Sequence, residues 1–221
     1  MTQALIIGAS GGIGQALATT LEDRGAAVTR LSRRDDGFDI TNEASVEAAL
    51  GALDPGFDLV LVATGALELD GARPEKTIRH VTAPTMAAQF ALNCIGPALV
   101  LKHAIRLMPR DRRAVFAALS ARVGSIGDNR LGGWYAYRTA KAALNQVLHT
   151  GAIELARTHP GAICVALHPG TVETALTRRY AAGHPTVTPP EAAAHLLGVI
   201  DGLDPEQSGG FFDWRGDRVE W

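Results

Sequence analysis

Short apolar runs alternate along the chain with segments of helical periodicity. Ala4-Leu5-Ile6-Ile7 is continuous and ends at glycines, the pattern of a strand buried on both faces. Gly12 to Arg24 has helical periodicity through Ile13, Leu17 and Leu21, and Gly25 stops it. Ala26 to Leu31 predicts a second strand, Ser32 to Gly37 a polar turn, and Phe38-Asp39-Ile40 a very short third strand. Thr41 or Asn42 caps a helix through Val46 to Leu53. Leu59 to Ala63 is another buried strand, Leu67 to Thr82 is polar and irregular, and Ala83 to Met108 predicts a long helix. Ala114 to Leu119 predicts a strand and Ala121 to Gly133 a glycine-rich loop. Trp134 or Tyr135 to about Thr158 predicts a helix, Ala162 to Leu167 a strand, Pro190 to Ile200 a helix and Phe211 to Trp214 a last strand. This alternation implies an α/β fold: one Rossmann-type, doubly wound, mostly parallel sheet with helices on both faces, in a single domain over residues 1–221.

Composition narrows the functional classes. The chain is 47% hydrophobic and 20% charged, ordinary for a globular protein with a sizeable core. A net charge of -2 gives no reason to expect nucleic acid or an anionic membrane as partner. Cys94 and Cys164 have neither metal-site nor disulfide spacing, which suits the reducing cytoplasm. Gln89, Asn93, Lys102 and His103 interrupt the long apolar run, which reads as a core helix rather than a membrane span. The N-terminus has no basic region ahead of its apolar run, so no export signal is expected. The seven histidines are scattered, and no catalytic metal is expected.

The chemistry starts at Gly8-Ala9-Ser10-Gly11-Gly12-Ile13-Gly14, between the first strand and the first helix. Glycines there let the backbone turn tightly and approach a pyrophosphate, and the helix N-terminus offers free N–H groups to the anion. At the end of the second strand a carboxylate would bind ribose hydroxyls, whereas arginine attracts a 2′-phosphate. Ser32-Arg33-Arg34 stands there, so Arg33, with Ser32 and Arg34 beside it, points to NADPH. Two solvated arginines are the alternative, and Asp35 and Asp36 weigh on that side.

Tyr137-Arg138-Thr139-Ala140-Lys141 places Tyr137 and Lys141 on one helical face. A free tyrosine, with a pKa of about 10, is a poor acid or base near neutrality. A neighbouring ammonium stabilises the phenolate and is expected to lower that pKa. The pair suits proton transfer at a carbonyl or alcohol oxygen. Tyr135 has only Thr139 at i+4, which brings no charge.

Taken in order, Gly8-x-x-x-Gly12-Ile13-Gly14, Asp39-Ile40, Asn93, Ser120, Tyr137-x-x-x-Lys141 and Pro169-Gly170 resemble the short-chain dehydrogenase/reductase family over essentially the whole chain. Ser120-Ala121-Arg122-Val123-Gly124-Ser125 and Gly132-Gly133-Trp134-Tyr135 look like its C-factor-like branch of small carbonyl reductases. The resemblance implies an NADPH-dependent enzyme reducing a small-molecule ketone or aldehyde, with Tyr137 as proton donor. Lys141 would lower the phenol's pKa and hold the nicotinamide ribose, and Asn93 would sit at a break in the long helix and support a proton path. Asp39 and Ile40 would face the adenine. Ala63, Thr64 and Gly65 would line the cofactor, and Pro169, Gly170, Val172 and Thr174 would embrace the nicotinamide and phosphates. A homodimer or homotetramer is expected on the same ground. Among other classes, an NADP(H)-binding regulatory protein with little turnover stays open, whereas a methyltransferase would leave Tyr137 and Lys141 without a reason.

Four departures qualify the resemblance. Ala121 stands where the family has the serine that polarises the carbonyl, leaving Ser120 or Ser125 to supply the hydroxyl. Asn-Asn-Ala-Gly is replaced by Val62-Ala63-Thr64-Gly65. The few residues between Arg33 and Asp39 leave no room for the usual helix joining the second and third strands. The segment from Ala175 to Pro189 is short for a substrate lid, which predicts an open site.

Overall fold

The computed structural model describes residues 2–69, 71–180, 183 and 185–221. Asp70 in the polar loop and Ala181, Ala182 and His184 in the short lid segment therefore lie outside the described residues. Strands β1 (Gln3–Ile7), β2 (Ala27–Leu31), β3 (Leu59–Val62), β4 (Ala114–Leu119), β5 (Ala162–His168) and β6 (Phe211–Asp213) form one sheet in the order β2-β1-β3-β4-β5-β6. All five pairings are parallel. Strand order reverses between β1 and β3, and a crevice for ligands opens beyond the carboxyl ends of strands at such a switch point.

Both faces of the sheet are covered, which is why β3 and β4 carry no polar side chain. On one face, Leu17 of α1 (Gly12–Asp23) and Leu196 and Ile200 of α7 (Pro189–Gly202) pack with Ile6, Leu61 and Val165. On the other, Val46 and Leu50 of α3 (Glu43–Gly51) and Leu144 and Leu148 of α6 (Tyr135–Leu155) join Leu5, Val60 and Phe116. Asn42 caps α3 through its side chain, as its position before the apolar residues predicts.

The long helix is continuous over Ala83–Leu107 but changes its winding three times. α4 (Ala83–Phe90) passes through a π-helical turn, Ala91–Ile95, into α5 (Gly96–Ala104), and a 3₁₀ turn, Ile105–Leu107, ends it. Pro97 has no N–H to donate to the carbonyl four residues back, that of Asn93, so the α-helical ladder cannot run through this point. The expected break at Asn93 is thus present, and Pro97 is its cause. By length and composition alone this run is apolar enough to cross a membrane. Its Val100, Ala104 and Leu107 are wholly buried in the core with Val60 and Phe116.

Two expectations are corrected. The polar turn after β2 is a single helical turn, α2 (Arg33–Asp36), capped by the Ser32 side chain and ended by Gly37 at φ 68°. Phe38-Asp39-Ile40 is not a strand. The Ser32 carbonyl accepts from both Asp36 and Phe38 N–H groups, so the chain folds back and Phe38 spends the donor that a sheet ladder would need. Phe38 and Ile40 are buried in the core all the same.

Candidate active site

The turn after β1 is built as its glycines require. Gly8 has φ +87°, and a Cβ there would lie 2.9 Å from the Ala63 carbonyl carbon. A Cβ on Gly14 would fall 2.2 Å from the Gly8 oxygen, so α1 approaches β1 as closely as a bare backbone allows. Gly11 stands at the N-cap of α1 with no side-chain cap, and the first-turn N–H groups are left for an external acceptor. Ser10 is half-buried in the same turn.

Beside this turn a cavity of about 540 Å³ opens at the carboxyl ends of the strands. Ile13, Ala63, Thr64, Gly65, Ser120, Tyr137, Lys141, Pro169, Gly170, Val172 and Thr174 all form its walls, so residues named from five separate stretches of sequence meet there. Thr64 Oγ1 and Asn93 Oδ1 are buried without a hydrogen-bond partner. A Cβ on Gly65 would come within 2.9 Å of that Asn93 oxygen and 3.5 Å of Lys141 Nζ. A glycine cradle edged by unclaimed polar atoms fits a dinucleotide whose amide, hydroxyls and phosphates need partners.

Tyr137 and Lys141 are both buried on one face of α6. Lys141 Nζ donates to the Leu119 carbonyl at 2.8 Å and lies 5.8 Å from the centroid of the Tyr137 ring. Burial lowers the Lys141 pKa to about 7 and raises that of the Tyr137 phenol. The direction for Tyr137 is opposite to the one expected from a neighbouring ammonium. The ammonium is committed to a main-chain oxygen, and desolvation of the phenolate outweighs its field. The phenol consequently keeps its proton at neutral pH.

The two candidate serines behave differently. Ser120 lines the cavity, and its hydroxyl donates to Asn145 Oδ1 at 2.6 Å. Ser125 is buried outside the cavity walls, and its Oγ accepts from the Asp128 N–H at 3.0 Å. At the β2 end, Ser32 is occupied as well. Its N–H donates to Asp36 at 2.8 Å and its hydroxyl to Asp35 at 3.0 Å. Arg34 pairs with Asp35, while Arg33 is exposed and makes no salt bridge among the described residues. Asp39 turns its carboxylate onto the Thr41 N–H and hydroxyl, which hold its pKa below the ordinary value. Ile40 packs against Gly96. None of Ser32, Arg33, Asp39 and Ile40 lines the cavity itself.

Several residues at the site carry no local sequence signal. Gln89, buried in α4, accepts from Asn93 Nδ2 at 2.6 Å and donates to the Leu67 carbonyl at 3.0 Å. Glu75, buried in the polar loop, accepts from the Ala136 N–H at 3.2 Å and so caps α6 from outside. His168 ends β5 on the cavity wall, and burial pushes its imidazole down to about 4. Glycine pairs and alternation mark turns and strands, but these groups find their partners across the fold.

Similarity to known proteins follows the same residues. The family model described as Enoyl-(Acyl carrier protein) reductase matches residues 37–201. The 1-hydroxy-2-glutathionyl-2-methyl-3-butene dehydrogenase of Rhodococcus sp. (strain AD45) is 33% identical over 245 aligned positions, covering 100% of both chains. The C-signal protein of Myxococcus xanthus is 38% identical over 138 positions, covering 62% of this chain and 78% of its own. A short-chain dehydrogenase/reductase from Burkholderia multivorans, solved with bound NADP, superposes with a TM-score of 0.81 at 25% identity, covering 100% of this chain and 99% of that one. The order of glycine turn, π-broken helix and Tyr137–Lys141 pair on one parallel sheet, together with full-length similarity to a dehydrogenase, places the chain in the short-chain dehydrogenase/reductase family of oxidoreductases.

Proposed function

We propose that the chain reduces a ketone or aldehyde to an alcohol with NADPH, with Tyr137 as the general acid. The observation that carries this reading is the buried Tyr137–Lys141 pair on the wall of the cavity that Thr64 and Gly65 also line. Gly8, Gly11, Gly12 and Gly14 would hold the pyrophosphate against α1. Thr64, Asn93 and Lys141 would meet the nicotinamide ribose and amide, beside Pro169, Gly170, Val172 and Thr174. When bound, NADPH supplies the hydride.

Tyr137 gives its phenolic proton to the carbonyl oxygen as negative charge grows there. One O–H bond breaks at Tyr137 and one forms on the product, which leaves a phenolate. Lys141 stabilises that phenolate, and its low pKa makes its ammonium the group that returns the proton near neutrality. Ser120 is the serine on the cavity wall. An Asn145 carboxamide turned over would donate its unpartnered Nδ2 to Ser120 Oγ and free the hydroxyl proton for the substrate oxygen.

For cofactor choice, Arg33 is the group we assign to the 2′-phosphate, since Ser32 is held by Asp35 and Asp36. The NADP bound by the Burkholderia multivorans relative supports this assignment. Two buried thiols, Cys94 and Cys164, support action in the cytoplasm. We assign a homodimer or homotetramer and a single domain of residues 1–221 on family resemblance.

The test is NADPH oxidation against a panel of aldehydes, ketones, ketoesters and quinones, with Tyr137→Phe as control. Turnover that drops by about 10²–10⁴-fold in the variant, with NADPH binding retained, is the expected result. Tight NADPH binding without turnover on any carbonyl would favour a regulatory protein instead.

A further inference from the structure

We propose that Trp134 selects the substituent on the substrate carbonyl, giving the site a preference for neutral, planar apolar groups: aryl aldehydes, aryl ketones and quinones over short aliphatic carbonyls. This rests on the carbonyl-reductase reading above and adds a substrate class to it.

Trp134 is the one non-glycine residue with a positive φ among the described residues, at 52°. A bulky side chain seldom takes this conformation, and the two residues before it, Gly132 at φ 63° and Gly133 at φ 68°, show what the backbone asks for. Glycine at 134 would be the relaxed choice. The surrounding structure holds tryptophan there against that preference. The Trp134 N–H donates to the Glu75 carbonyl, and its own carbonyl accepts from the Arg138 N–H at 2.8 Å. Arg138 clamps the loop further, with Nε on the Gly133 carbonyl at 3.0 Å and Nη1 on the Val123 carbonyl at 3.1 Å.

What the strained position gains is a ring on the cavity wall three residues before Tyr137. The indole stands edge-on to Tyr180, with centroids 5.4 Å apart and planes at 77°. Tyr180 is held in turn, its hydroxyl donating to Glu68 beside the Arg179–Glu68 pair at 3.1 Å. Leu67, Leu131 and Leu176 join the same cavity, and Leu131 is 91% exposed, an apolar side chain that a ligand would cover. Among the described residues each cation on the wall already has a partner: Arg122 lies 2.6 Å from Asp128, Arg138 is on the Gly133 and Val123 carbonyls, and Lys141 is on the Leu119 carbonyl at 2.8 Å. Aromatic faces and leucines therefore define the chemistry, and a flat π-system fits them best.

The experiment compares wild type, Trp134→Gly and Trp134→Phe with NADPH and two aldehydes, benzaldehyde and butanal, and records Tm for each protein. The expected result is a kcat/KM ratio, benzaldehyde over butanal, that falls about tenfold in Trp134→Gly and stays within about threefold of wild type in Trp134→Phe. Trp134→Gly should at the same time melt at or above the wild-type temperature, because glycine relieves the backbone. An unchanged ratio in an active Trp134→Gly overturns the assignment while leaving the reductase reading intact. Proportional loss of both activities with a lowered Tm also overturns it, since that is the signature of a structural residue. A wild type that turns over neither aldehyde, nor any other carbonyl or quinone, sinks the reductase reading and this assignment together.

Discussion

A phenol surrounded by apolar groups holds its proton, and a buried ammonium gives one up easily. Those two effects set the pH behaviour of Tyr137 and Lys141. If Lys141 reloads Tyr137, reduction needs the ammonium form. That form is present below its pKa of about 7 and lost as pH rises through it. With NADPH kept well below its KM, so that groups of the free protein are reported, kcat/KM for reduction should decline above about pH 7. A profile flat to about pH 9 would remove Lys141 from the proton path. The serines give a second residue-scale expectation. Ser120→Ala should lower kcat/KM by about 100-fold, whereas Ser125→Ala, whose hydroxyl closes a turn outside the cavity, should leave it nearly unchanged. Full activity in both variants would mean that Tyr137 alone meets the substrate oxygen. Tyr137 and Lys141 were legible in the sequence because one helical turn separates them. Ser120 and Ser125 stay equal in the sequence, because only the fold puts Ser120 on the cavity wall and Ser125 outside it.

Elements place these groups, and α6 matters most because its first turn carries Tyr137. Its N-cap, Trp134, offers no side-chain cap, and Glu75, far away in sequence, accepts from Ala136 instead. Removing that carboxylate leaves a buried N–H without a partner. Glu75→Ala should therefore cost about 1–2 kcal/mol, seen as a lower urea midpoint at unchanged m-value. Glu75→Gln, which keeps an acceptor, should recover part of the loss. A midpoint unmoved by Glu75→Ala would show that α6 begins securely without it. The break in the long helix was legible through the family resemblance, which places it at Asn93, and the fold supplies the reason in Pro97, whose missing N–H leaves the Asn93 carbonyl without its helical donor. Phe38–Ile40 failed as a strand for a reason outside the segment. Its donor goes to the Ser32 carbonyl, and apolar character alone does not reveal where a backbone N–H is spent.

At the scale of the molecule, one sheet is closed over on both faces, and its carboxyl edge buries polar groups that a core would exclude. His168 is the clearest case. It ends β5, pairs in register with Asp213 of β6, and is depressed to about 4 by burial, with Asp213 pulling the other way. Above about pH 6.5, its ordinary value, folded and unfolded chains both hold it neutral. As pH falls from there, the unfolded chain takes up a proton that the folded one refuses. Stability is therefore fully present above about 6.5, drains through this window and levels off near 4, by ~3 kcal/mol at most from this group. His159, also lowered by burial, adds to the same limb. Carboxylates with lowered pKa, such as Asp39 and Glu68, lose their contributions only at lower pH. Urea unfolding of wild type and His168→Gln at several pH values between about 7.5 and about 4 separates these contributions. The variant should lose stability less steeply between about 6.5 and 4, whatever its stability at neutral pH. Parallel slopes for the two proteins would mean that the carboxyl edge admits a charged imidazole after all. Asp213, 3.8 Å from Arg122, would then be the partner that accommodates it.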